Sequence, residues 1–113
     1  MGDSEHFDTL RLELRRGAIV LAVLALLQSE HYGYSLRKAL LGKGLEIDEG
    51  TLYPLIRRLE KQGLLVSEWR EEDRRRKRFY TISQAGREIL QRLLEEREQL
   101  NSSIDSMLAR KAK

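Results

Sequence analysis

The segment 48–63, DEGTLYPLIRRLEKQG, constrains the fold of this chain more than any other. Leu52, Leu55, Ile56 and Leu59 recur at i, i+3, i+4 and i+7, so a helix gathers them into one apolar stripe. The opposite face then holds Gly50, Pro54, Arg57 and Lys61, with Tyr53 and Arg58 on its flanks. Gly63 suits the position just past a helix end. Pro54 lacks an N–H and fits a first turn, which places the expected start near Gly50 or Thr51, or else a kink there. A helix this short holds only if neighbours cover its stripe.

Those neighbours are legible on both sides. Thr9 can cap a helix running to about Ser29, leaving residues 1–8 as a polar, frayed N-terminus. The first half of that helix is amphipathic. Its second half, GAIVLAVLALL at 17–27, is apolar nearly all round and implies burial on more than one side, which points to a second subunit. The run is too short to cross a bilayer, which takes roughly 20 residues. As a signal-peptide core it lacks a small-residue cleavage site, so a buried helix is the reading and no membrane is expected. A short helix from about Tyr34 to Leu41 follows, with Leu36, Ala39 and Leu40 inward. Gly42 and Gly44 end it, and Leu45 and Ile47 anchor the turn.

Downstream, residues 64–71 and 77–82 are rich in Val, Trp, Phe, Tyr and Thr and read as two strands of a hairpin, with Trp69 and Phe79 in its core. Ser83 caps a last helix, about Gln84 to Ala109. Along it Leu90, Leu93, Arg97, Leu100, Ile104 and Met107 step by 3 and 4, a heptad seam that Leu94 and Leu108 widen. Such a seam exceeds what a small domain covers, so it is read as a dimer helix. The alternative is a tail packed on the chain's own first helix.

With 113 residues the chain is one domain with a modest core. It is 41% hydrophobic and 35% charged, a folded and highly charged protein. No Cys is present, which removes disulfides, a thiolate nucleophile and a Cys-ligated zinc, and suits a reducing cytoplasm. His6 and His31 are isolated, so no metal site is expected; no cofactor is expected either. Glu95, Glu96, Glu98 and Asp105 read as a solvated helix face, and no catalytic grouping is present. The chain is not read as an enzyme.

The net charge is only +3, so the placement of charge carries the functional argument. Arg74, Arg75, Arg76, Lys77 and Arg78 run together between the two strands. Five adjacent cations repel one another in the free protein and gain by releasing phosphate counterions. Alternation lets only some face DNA at once, and Arg74, Arg75 and Arg76 at the tip are the favoured ones. On the third helix Thr51, Tyr53, Arg57 and Lys61 are the candidates. Its N-terminal residues can reach base edges, Arg57 can fork onto guanine or phosphate, and Lys61 reaches backbone. Tyr53 offers a hydroxyl and a ring, or else braces the second helix. Tyr34 and Arg37 on the second helix can grip backbone phosphates, with core packing as the alternative for Tyr34.

These segments, YGYSL at 32–36, GTLYPLIRRLEKQGL at 50–64 and RKRFYTISQAGR at 76–87, closely resemble the PadR family of bacterial and archaeal transcription regulators, over roughly residues 10 to 110. The single last helix resembles its smaller subfamily. The resemblance implies a homodimeric winged helix on operator DNA, usually a repressor, with a dimer built from the first and last helices. Many members sense small compounds, so the resemblance adds an unidentified small-molecule effector to the candidate partners. Two departures stand out. Family wings commonly carry a glycine before the basic residues, where this chain has Glu71-Glu72-Asp73. Some small members stack drugs on a tryptophan of the last helix, whereas here the only tryptophan is Trp69, on a strand.

The expected architecture is therefore mainly α (α+β): residues 1–8 a flexible N-terminus, 9–83 a winged helix-turn-helix, 84–113 a long C-terminal dimerisation helix. DNA contacts are assigned to Tyr34, Arg37, Thr51, Tyr53, Arg57, Lys61, Arg74, Arg75 and Arg76. The interface is assigned to Leu90, Leu93, Leu94, Leu100, Ile104, Met107 and Leu108. The partners are double-stranded DNA with a near-palindromic site and a second copy of the chain. The rival readings are a winged helix used to dock a protein, or a small-molecule-binding dimer without a DNA role.

Overall fold

A computed structural model describes residues 2–108. Four helices and a small antiparallel sheet follow in the order α1 (Gly2–Leu26), β1 (His31–Tyr32), α2 (Gly33–Gly42), α3 (Glu49–Lys61), β2 (Leu65–Glu72), β3 (Arg75–Ile82) and α4 (Gln84–Met107). This is the winged helix-turn-helix with a C-terminal helix that the sequence predicts. The sheet order is β1-β3-β2. The wing pairs Leu65 with Ile82 at its base and Glu72 with Arg75 at its tip.

The core forms where three apolar stripes converge. Val23 and Leu24 near the end of α1 and Leu27 just past it meet Leu36 and Leu40 of α2 and the Leu52, Leu55, Ile56, Leu59 stripe of α3. Ile47, Leu65, Tyr80, Ile82 and Leu90 complete it. Each stripe is too narrow to hold its helix alone, so the helices form by covering one another.

Several boundaries differ from the expected ones. The first helix starts at Gly2, not at Thr9, so residues 2–8 extend the helix instead of forming a frayed arm. Asp3 and Glu5 in its first turn favour that start, because carboxylates complement the positive end of a helix. The two-residue strand β1 is too short to leave an alternating pattern in sequence. Asp48 is the N-cap of α3, which places Pro54 in the second turn, inside the helix. The hydrogen bond that Pro54 cannot make would have gone to the Gly50 carbonyl, at an exposed position where water can serve it. The expected end of the last helix at Ala109 lies outside the described residues.

Helix ends are closed locally. Gly63 has φ +80; the Leu64 N–H donates to the Leu59 carbonyl and that of Gly63 to Glu60, each at 2.9 Å. That pair of bonds needs a left-handed residue at the turn, where glycine carries no Cβ penalty. Ser83 caps α4, accepting from the Gly86 N–H at 3.0 Å and donating to the Gly63 carbonyl at 2.6 Å. A Cβ on Gly86 would overlap the Leu64 carbonyl oxygen and stand 2.7 Å from Ile82 Cγ1. The start of α4 therefore lies directly on the base of the wing.

The heptad seam of α4 divides in two. Leu90 is only 6% exposed, inside the chain's own core, and Leu93 and Leu94 pack partly against it. The interface assignment is corrected for Leu90, which the chain's own core takes up as α4 packs on α1, whereas Leu93 and Leu94 stay half-exposed. Leu100, Ile104, Met107 and Leu108 have no such cover, and Met107 is 80% exposed. On α1, Phe7, Leu10, Leu12 and Leu14 are likewise bare, Leu14 at 81%. The radius of gyration is 16.7 Å, against about 13 Å for a compact chain of this length.

Candidate nucleic-acid interface

The basic block divides by position on the hairpin. Partners in register share a face, so Ser67, Trp69 and Glu71 of β2 lie with Tyr80, Arg78 and Arg76 of β3. Glu68, Arg70 and Glu72 lie with Phe79, Lys77 and Arg75 on the other.

The two inner cations are engaged within the molecule. Arg78 Nη2 donates to both carboxylate oxygens of Glu60 on α3 at 3.0 Å, and its Nε donates to Ser67 Oγ at 2.9 Å. Ser67 in turn donates to Glu60. This half-buried triad ties the recognition helix to the wing. Tyr80 lies beneath it, and burial pushes its phenol above the ordinary value against the lowering pull of Arg78. Lys77 Nζ pairs with Glu72 at 3.2 Å and stands 4.2 Å over the Tyr32 ring. Desolvation pulls its ammonium down, but the Glu72 carboxylate and Tyr32 outweigh that and raise it.

The outer cations differ. Arg74, Arg75 and Arg76 are exposed and make no ion pair among the described residues. The turn is a two-residue loop, Asp73-Arg74, between the paired residues Glu72 and Arg75. Both loop residues have positive φ, 54° and 64°. With no glycine in the loop, two L-residues occupy the left-handed region, which costs roughly 1–2 kcal/mol for Arg74 and less for Asp73, whose short polar side chain tolerates it.

Trp69 departs from its expected place in the hairpin core. It is 52% exposed, whereas Phe79 is buried as expected, under Arg70 at 4.0 Å and against Tyr32. β2 is an edge strand, and the indole lines an open cleft between wing and helices and not a closed core. It carries guanidinium groups instead, Arg76 at 5.1 Å and Arg78 at 5.6 Å. Arg70 on the other face pairs with Glu30 and, at 3.0 Å, with Glu68; the Glu30 hydrogen bond leads in raising its basicity against desolvation.

Between helix and wing lies a cleft of about 290 Å³. Tyr34, Tyr53, Arg57, Trp69, Lys77 and Arg78 are among the residues that line it. Three helix candidates, Tyr34, Tyr53 and Arg57, thus share one concavity with the wing. Tyr34 is exposed, which removes the core-packing alternative. The Tyr53 phenol lies against the start of α2, since a Cβ on Gly33 would stand 3.0 Å from its Cε1 and 3.4 Å from its hydroxyl oxygen. Tyr53 is thus a half-buried brace whose edge reaches the cleft. Arg57 and Lys61 are exposed on the outer face of α3. Thr51 Oγ1 donates to Asp48 Oδ1 at 2.9 Å, and Arg37 Nη1 donates to Glu49 Oε2 at 2.7 Å. The Glu60–Arg78 link, eighteen residues apart, left no mark in sequence beyond the alternation of β3.

Among the described residues no group of His, Cys, Asp or Glu is arranged to hold a metal ion. No described helix is long and apolar enough to cross a membrane. The residues that converge are cationic, phenolic and solvent-facing, suited to phosphates and base edges.

The chain matches the model of the transcriptional regulator PadR-like family over residues 20–92. It is 42% identical over 88 residues to transcriptional regulator Rv3488 of Mycobacterium tuberculosis, covering 74% of this chain and 82% of that protein. The fold is similar to a PadR family transcriptional regulator from Eggerthella lenta, with a TM-score of 0.92 at 37% identity and 96% of each chain covered. A transcriptional regulator from Clostridium thermocellum superposes with a TM-score of 0.77 at 31% identity, over 83% of this chain and 96% of that one.

Proposed function

The chain belongs to the transcriptional regulator PadR-like family, a family of DNA-binding regulators and not of enzymes, and on that premise we propose that it acts as a homodimeric repressor in the cytoplasm. Each α3 enters a major groove of a near-palindromic operator. Each wing grips flanking phosphates through Arg74, Arg75 and Arg76. Tyr34, Arg57 and Lys61 hold backbone or guanine edges, Arg37 pairs with Glu49 at the head of α3, and Thr51 and Tyr53 set the helix in place. The observation that carries this reading is the division of the basic block. Its inner cations are neutralised at home, and its outer three stand unpaired among the described residues on the hairpin whose Trp69 face lines the same cleft as Arg57.

Dimerisation through α1 and α4 accounts for the bare stripes Phe7, Leu10 and Leu14 and Leu100, Ile104, Met107 and Leu108. Exposed apolar stripes on two helices are what such an interface would cover. The twofold axis sets the half-site spacing at about 34–36 Å or a multiple. A small-molecule effector releases DNA if it binds better to a dimer whose two readers are wrongly spaced.

The test is a binding titration against DNA flanking the chain's own gene, across a range of salt, with wild type and an Arg74→Glu, Arg75→Glu, Arg76→Glu variant. The wild type binds with a steep log–log salt dependence. The variant loses affinity for all sequences and its slope falls by about 0.9 for each phosphate contact removed. Unchanged binding and slope would favour the protein-docking reading of the fold.

A further inference from the structure

The first two turns of α3 present few groups able to read a base. Gly50 and Pro54 on the outer face carry no side-chain donor or acceptor. The Thr51 hydroxyl is committed to Asp48, and the Tyr53 ring is held against Gly33. Glu49, the first residue of the helix, lies one turn before Tyr53 on the same flank, with its side chain 61% exposed. Its Oε2 accepts from Arg37, and its Oε1 has no partner among the described residues. Arg37 thus orients a carboxylate at the leading end of the recognition helix with one oxygen unspent.

Among phosphates a carboxylate is repelled unless it meets a donor. In the major groove guanine shows two acceptors and thymine an acceptor and a methyl group. Adenine shows an amine beside the N7 acceptor, which repels a carboxylate. Cytosine alone offers an amine without an adjacent acceptor on the same ring. We propose that Glu49 is a specificity-determining residue that accepts a hydrogen bond from the exocyclic amine of a cytosine in each half-site, with Arg37 as its positioning residue. The inference rests on the DNA-reading function proposed above.

The experiment is selection from a randomised duplex pool by the full-length chain, as wild type, Glu49→Gln and Glu49→Ala, with a thermal melt of each. Both substitutions sit at an exposed position and leave the fold intact. Wild type selects C·G at one position in each half-site. Glu49→Gln shifts that position toward A·T, because an amide both accepts from N6 and donates to N7 of adenine. Glu49→Ala flattens it, lowering discrimination roughly tenfold or more, with the other positions unchanged. If both variants keep every wild-type preference and change affinity uniformly, Glu49 is only a charge at a helix end and the proposal is wrong. A wild type with no preference anywhere overturns instead the DNA-reading function itself.

Discussion

Replacing Arg74 by glycine separates stability from binding with effects of opposite sign. Arg74 sits at φ 64 in a two-residue loop whose other member, Asp73, is at φ 54. Glycine adopts this conformation without the Cβ penalty of roughly 1–2 kcal/mol, but it also gives the unfolded chain more freedom to lose, roughly 0.5–1 kcal/mol. The net expectation for Arg74→Gly is a gain of about 0.5–1 kcal/mol, or some 2–5 °C in Tm by the usual scaling for a domain of this size. The melt is run at one protein concentration, since self-association couples Tm to concentration. The same change removes one phosphate contact. The log–log salt slope for DNA then falls by about 0.9, and affinity near 0.15 M salt drops roughly fivefold. Arg74→Ala is the control, with the same loss of binding and no gain in Tm. If Arg74→Gly fails to raise Tm, the turn is not strained as the angles imply. If Tm rises while affinity and slope stay put, Arg74 does not touch phosphate and the strain serves something else.

Three other perturbations test separate parts of the argument. Gly86→Ala drives a methyl group into the Leu64 carbonyl and Ile82, neither of which can move cheaply, and should cost about 3 kcal/mol or more in a urea melt; a loss under 1 kcal/mol (roughly) would mean that α4 is not seated there. Leu100→Asp with Ile104→Asp puts unpaired charge on the bare half of α4, at a cost on the order of 3 kcal/mol or more to any interface that buries it; sedimentation should give monomers without operator binding, and an intact dimer would remove the seam from the interface. Tyr53→Ala removes the brace on Gly33 and should lower operator affinity roughly tenfold more than affinity for random DNA, since misplacing a reader harms direct readout more than phosphate contact; equal losses on both would leave Tyr53 a packing residue alone.

What could be read in the chain itself was everything set by short-range periodicity and by residues with special backbone chemistry. The stripe of α3 predicted its four buried residues because helical spacing is local. Gly63 and Ser83 predicted a stop and a start because the groups they satisfy lie within three to five residues or at the adjoining turn. The tip cations were legible as a block, since adjacent like charges repel one another in the free chain and gain by meeting phosphate. The family resemblance rests on the same local segments.

Tertiary structure decided how those pieces were spent. Nothing in the order of residues pairs Arg78 with Glu60, yet that pairing ties the wing to α3 and, with Lys77 held by Glu72, leaves the three cations nearer the tip without an ion pair among the described residues. Trp69 and Phe79 look alike as strand aromatics; the reach of the neighbouring elements buries one and leaves the other under guanidinium groups. Leu90 and Met107 occupy the same seam, and only the packing of the folded chain puts one in the core and the other in water. Local sequence determines which conformations are cheap; burial and charge neutralisation depend on what arrives from elsewhere in space, and that is known only once the chain has closed.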